Sequence, residues 1–168
     1  IFSSISVILR KEIQIANVYI SRTITNLSAD EPNRIPIMKS GILPLLLEML
    51  DDSNIEVSEH VVMTLGNLAV CAEVANYISN IGGCEPIAEI CRTLNEDLLM
   101  RSAKLVCNMC QYELPRKHFI ELGVKDILAP KAKSSYKELA YYASKAMNNL
   151  NVPIRKLTRG TVISNDKA

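Results

Sequence analysis

Apolar residues along this chain fall at helical spacing, and the pattern itself recurs at a fixed interval. Asn26-Leu27, Asn67-Leu68, Asn108-Met109 and Asn149-Leu150 stand 41 residues apart, and Gly41, Gly82 and Gly123 keep the same interval. Counted from each Asn, positions −6, −2 and +1 read Ile20, Ile24, Leu27; Val61, Leu65, Leu68; Ser102, Val106, Met109; and Ala143, Met147, Leu150. These offsets share one face of an α-helix, and all but Ser102 are apolar. The spacing therefore predicts a long helix before each Asn with one buried stripe.

A shorter polar stretch follows each Asn, and then a short helix closes on glycine: Asn33 to Gly41, Glu73 to Gly83 and Pro115 to Gly123. Pro115 suits a first helical turn, and the glycines suit a helix C-terminus, where positive φ is needed. A second apolar helix comes next, at Leu43 to Leu50, Pro86 to Leu94 and Val124 to Lys133. Asp52-Ser53-Asn54, Asn95 and Ser134-Ser135 are the candidate caps of the long third helices. One such unit cannot bury its own apolar face, whereas a stack of them can. The expected organisation is a partial repeat over 1–40, repeats over 41–82, 83–122 and 123–160, and a polar tail or linker over 161–168. Ile154 to Gly160 would begin a further first helix.

Composition narrows the function classes. A net charge of +1 with 22% charged residues argues against a general nucleic-acid binder. With 48% hydrophobic residues and no Trp, the core must be aliphatic. Five cysteines behind no signal peptide suit a reducing, cytoplasmic setting. No apolar run reaches the roughly 20 residues of a membrane helix. The chain opens on Ile1 within an apolar stretch, as a segment of a longer protein would.

The motifs carry a resemblance. Gly41-Ile42-Leu43-Pro44-Leu45-Leu46-Leu47-Glu48-Met49-Leu50 is similar to the second helix of the armadillo repeat family, and Glu56-Val57 with Leu65-Gly66-Asn67-Leu68-Ala69 is similar to its third helix. Gly83-Cys84-Glu85-Pro86 fits the same pattern. Asn108-Met109-Cys110 departs from the usual Asn-Leu-Ala, and Asp126 stands where Pro is usual. The resemblance spans about residues 5–155, with the first unit reduced to its third helix. It implies an all-α, right-handed superhelical solenoid of about three and a half armadillo repeats, with the third helices lining a concave groove.

The resemblance also implies a site. Asn26, Asn67, Asn108 and Asn149 match the family's ladder asparagine, whose carboxamide offers a donor and an acceptor to an extended partner's backbone. The alternative is that Asn bonds only neighbouring helices. One and two turns back lie Arg22, Met63, Lys104 and Lys145, and then Tyr19, His60, Arg101 and Tyr142. Importin-α-like members typically carry Trp at the first of these rows. Basic residues there resemble instead the β-catenin arrangement, which receives acidic extended segments. Arg and Lys would pair with carboxylates or phosphates, and the tyrosines would add flat contacts.

Other signals point to no chemistry. Cys107 and Cys110 sit one turn apart with no second pair, so they read as small buried hydrophobes rather than zinc ligands. Gly82-Gly83 lacks the spacing and Lys of a phosphate loop. His60 and His118 are solitary. Glu56, Glu59, Asp97 and Glu138 fall at helix starts and faces, where acids favour the dipole and water. No nucleophile–base pair, cofactor box or metal cluster is visible, so neither an enzyme nor a cofactor is expected. The expected role is a protein-binding scaffold for an extended, acidic or phosphorylated segment. The alternatives are a structural part of a large assembly, contacting neighbours by its edges, and, last, a nuclear-import adaptor.

Overall fold

A computed structural model of the chain describes residues 2–154, with side chains described from Ile15 onward. Ten α-helices follow one another: α1 (Phe2–Ala29), α2 (Arg34–Lys39), α3 (Leu43–Glu48), α4 (Ile55–Leu68), α5 (Ala72–Asn80), α6 (Cys84–Ile90), α7 (Glu96–Met109), α8 (Glu113–Glu121), α9 (Val124–Leu128) and α10 (Lys137–Leu150). The order is a long helix, then three copies of short, short and long. The long helices stack in sequence, α1 on α4, α4 on α7 and α7 on α10, and the short first helices stack likewise, α2 on α5 and α5 on α8. The expected further helix from Ile154 and the tail at 161–168 lie almost wholly outside the described residues.

Local chemistry sets the boundaries. Gly41, Gly82 and Gly123 take φ of 77°, 81° and 68°, so the chain turns from each first helix into the second through a left-handed residue. At Gly82 a Cβ would meet nothing within 4 Å, so the requirement there is backbone conformation and not space. The Asn54 side chain accepts a hydrogen bond from the Glu56 amide at 3.0 Å, and that of Asn95 accepts from the Leu98 amide at 2.8 Å. Both supply a partner for an otherwise unpaired amide of the first turn.

The third expected cap is displaced. Tyr136 holds the N-cap position of α10 without a side-chain capping bond to the helix, and Ser134 Oγ accepts from the Tyr136 amide, one step too early to reach the helix. All three second helices also end before the apolar runs suggested. The first passes at Met49–Asp51 into a 3₁₀ turn, and Pro130, lacking an amide hydrogen, ends α9 and opens another at Pro130–Lys133. The run expected to Leu94 stops as α6 at Ile90, and Leu94 is left 97% exposed.

The core is one continuous hydrophobic cluster running through the stack, mostly aliphatic but including the fully buried Phe119. Val61, Leu65, Leu68, Val106 and Met109 are fully buried, as the stripe requires. Ser102, the polar exception, is also fully buried, because its hydroxyl donates to the Leu98 carbonyl at 2.7 Å on its own helix. The stripe fails only on α1. Ile20 and Leu27 are about half exposed, since among the described residues no short helices cover that side of α1. All five cysteines are free. Burial pushes the Cys91 thiol up to about 12 and raises the Cys84, Cys107 and Cys110 thiols as well. These groups are packed as neutral hydrophobes and not as thiolates.

Candidate protein-binding groove

The long helices present their in-phase residues on a shared face. Asn26 is exposed, and Asn67, Asn108 and Asn149 are half-buried. The three inner asparagines share a geometry. Asn67 Nδ2 donates to Ser28 Oγ at 3.1 Å, Asn108 Nδ2 to the Gly66 carbonyl at 3.0 Å, and Asn149 Nδ2 to the Cys107 carbonyl at 2.9 Å. Each amide therefore ties its helix to the one before. Among the described residues no protein donor takes the three Oδ1 atoms. One amide hydrogen of each carboxamide thus joins adjacent helices, and the carbonyl oxygen remains an acceptor without a protein donor.

Between α4 and α7 the face sinks into a cavity of about 140 Å³. Met63 and Asn67 line it from α4, Arg101 and Lys104 from α7, and Glu138 from α10. Four of the sequence-predicted residues are thus brought to one place. Arg101 Nε is buried without a hydrogen-bond partner, and so is His60 Nδ1 in the same row. An unpaired buried guanidinium N–H is rare, and that of Arg101 calls for an acceptor.

The other predicted residues form satellites. Lys104 Nζ stands 5.6 Å from the Tyr142 ring centroid, and Lys145 Nζ stands 5.7 Å from that of Tyr141. The two rings meet edge to face with centroids 5.1 Å apart. Each ammonium is held over an aromatic face, which restricts it without neutralising it. At the other end, Arg22 forms an ion pair with Glu56 across the α1–α4 junction, and His60 Nε2 lies 3.7 Å from the same carboxylate. Tyr19 and Arg22 line a separate shallow cavity with Ile15, Val18 and Glu56. The α1 end therefore has its cation paired with a carboxylate, while the ammonium groups at the α7–α10 end rest on aromatic rings.

Comparison with known proteins fits this geometry. Residues 30–70 match the Armadillo/beta-catenin-like repeat family. No curated protein sequence matches the chain. Among solved structures, an engineered protein superposes with a TM-score of 0.75 at 18% identity, over 79% of this chain and 55% of that one. A designed armadillo repeat protein superposes at 0.72 and 21%, over 76% of this chain and 55% of that one. The fold is that of the armadillo repeat. A further designed armadillo protein, solved in complex with the peptide (KR)4, superposes at 0.70 with 19% identity, over 76% of this chain. This chain spans about half the length of these three structures.

Within the armadillo frame, one row escaped the sequence reading. Glu56, Asp97 and Glu138 all stand eleven residues before their Asn, three helical turns back and hence in phase with it. Read as helix-start acids, they seemed to serve only the dipole. In the structure Glu56 engages Arg22, Glu138 lines the central cavity, and Asp97 accepts the Tyr136 hydroxyl at 3.1 Å, a bond that raises the Tyr136 hydroxyl above its ordinary value. The groove face thus carries the cations Arg22, Arg101, Lys104 and Lys145 beside an acidic row. The signal that finds the acids is the 41-residue phase itself. Among the described residues no group of His, Cys, Asp or Glu is arranged to hold a metal ion, and no helix is long and apolar enough to cross a membrane.

Proposed function

We propose that the chain is a non-catalytic scaffold that holds an extended, acidic or phosphorylated segment of a partner protein against its third helices. The observation that carries this reading is the cavity between α4 and α7, where Asn67, Arg101 and Lys104 converge. The buried, unpartnered Arg101 Nε supports a partner rich in acceptors. The available Oδ1 atoms supply acceptors for the partner's backbone amides at the armadillo interval. The designed armadillo protein noted above binds a Lys-Arg peptide. On this chain the rows beside the asparagines carry Arg101, Lys104 and Lys145, which favour a partner of the opposite charge. The setting that fits is cytoplasmic, including cytoskeletal or ciliary structures.

A peptide array of acidic, phosphorylated and charge-neutral extended sequences tests this, with hits titrated by fluorescence anisotropy. Acidic or phosphorylated hits should weaken about tenfold or more in Arg101→Glu/Lys104→Glu, with the helical circular dichroism unchanged. If the reversal leaves those hits unaffected, the groove reading fails.

A second reading rests on a different observation. Ile15, Tyr19, Ile20 and Leu27 leave α1 with an exposed apolar face. That face suits the edge of a spacer within a larger assembly, where edge substitutions would release the protein and groove substitutions would not.

A further inference from the structure

A second, larger cavity lies away from the asparagine face. It measures about 540 Å³ and opens between the second helices of adjacent repeats, α3 with its following turn and α6. Leu47, Leu50, Pro86 and Ile90 form its apolar lining, and Asp51, Glu89, Arg92 and Thr93 complete it. Leu50 is 1% exposed and closes the floor. Leu94, next in sequence to Thr93, is almost wholly exposed.

The electrostatics of this cavity are one-sided. Arg92 Nε is held by Glu89 Oε2 at 3.1 Å, so the only lining cation is already engaged. Among the described residues Asp51 forms no ion pair. No Lys or Arg stands between Leu43 and Asp51. The next second helix and its turn reverse the sign, with Lys125, Lys131 and Lys133 against Asp126. The acidic rim is therefore local to this pair of repeats and does not follow from the fold.

Shape and hydrogen bonding narrow the occupant further. Within α3 and α6 the backbone bonds run inside the helices, so no unpaired strand edge is offered to an extended chain. The repeated carboxamides lie on the long helices and not here. What the cavity offers is apolar depth flanked by carboxylates. A helix, whose own backbone is satisfied, can insert apolar side chains into such a cavity and place cations on its rim. We infer that the α3–α6 cavity is a second docking surface, for an amphipathic helix of a partner protein whose apolar stripe is flanked by Lys or Arg. This surface is separate from the groove, and its success or failure is independent of the groove reading.

The probe is a hydrocarbon-stapled helical peptide of roughly 14 residues, with leucines at i, i+3, i+4 and i+7 and lysines flanking them. Two controls accompany it: the same peptide with glutamates in place of lysines, and one with glutamines in place of leucines. Binding to the whole 168-residue chain is followed by methyl NMR and anisotropy. The expected result is binding of the first peptide alone, with shifts centred on the Leu47, Leu50 and Ile90 methyls. Affinity should fall about tenfold in Asp51→Lys/Glu89→Lys and stay unchanged in Lys125→Glu. All three positions are exposed, so folding is not at stake. No binding by the lysine peptide, equal binding by the glutamate peptide, shifts centred elsewhere, or an unaffected reversal variant would each overturn the proposal. So would concentration-dependent self-association of the parent that the reversal variant abolishes, because a second copy would then be the occupant.

Discussion

The α1–α4 and α4–α7 junctions occupy the same place in successive repeats and are built from different chemistry. At α1–α4 the buried positions include Ser21, Thr25, Ser28 and Thr64. Thr25 Oγ1 lies 2.8 Å from the Ser21 carbonyl, 2.9 Å from the His60 carbonyl and 2.9 Å from Thr64 Oγ1. Asn17 reaches Asp52 at 3.1 Å, and Arg22 pairs with Glu56. At α4–α7 the only side-chain hydrogen bond between the two helices, among the described residues, is that of Asn108 to the Gly66 carbonyl. The rest is the packing of buried apolar stripes, Val62 and Leu65 on α4, and Leu99, Ala103 and Val106 on α7. A stacked repeat needs its facing surface to be buried and satisfied, and not specifically aliphatic. Hydroxyls that bond carbonyls of their own helix meet that condition, at the expense of apolar area.

This comparison can be broken at three points. The largest effect belongs to the aliphatic side. Leu65→Ala removes a fully buried side chain and should lower stability by about 2–5 kcal/mol in urea unfolding followed by circular dichroism. A smaller loss would mean that the repeats around α4 collapse to fill the space, and that the aliphatic junction is looser than its burial implies.

Thr25→Val tests the hydroxyl side. It keeps the volume but removes the donor to His60 and the partner of Thr64, and should lower stability by about 1 kcal/mol. Thr64 retains its own bond to the His60 carbonyl at 2.9 Å, so no hydroxyl is orphaned. A double-mutant cycle with Thr64→Val should therefore return a nonzero coupling between them. Strict additivity would show that the two hydroxyls act separately and that the junction is not a network.

The smallest effect is expected at Arg22. Its pair with Glu56 is about half exposed on both sides, so Arg22→Ala should alter stability by less than about 1 kcal/mol, and the difference should vanish in high salt. The same measurement asks whether the engaged cation at the α1 end is structural. A larger, salt-resistant loss would make it so.

The two junctions also show how far the sequence could be read. The long helices, the positive-φ glycines and the Asn54 and Asn95 caps were legible because each depends on a few neighbouring residues and recurs every 41 positions. Ser134-Ser135 misled, because a cap requires one residue in one backbone position and the preceding 3₁₀ turn moved that position to Tyr136. The groove rows were legible as phases of a helix. Their partners were not: that Lys104 stands over Tyr142, or that Glu138 enters the cavity between α4 and α7, depends on the rotation of one repeat against the next. The acidic row was present in the same phase, yet acids at helix starts have a sufficient local explanation, and that explanation concealed it.

By itself the sequence determined the repeat length, the helix order, the buried stripe and the residues that share the asparagine face, since all of these follow from periodicity within one helix and from punctuation between helices. Tertiary structure alone decided that each inner Asn spends its amide on the preceding helix and leaves its carbonyl open, that Arg22 is paired with a carboxylate while Lys104 and Lys145 rest on aromatic rings, and that a cavity opens between α3 and α6. Each of these is set by the distance and angle between stacked repeats, a quantity that arises from packing and that no stretch of local sequence encodes.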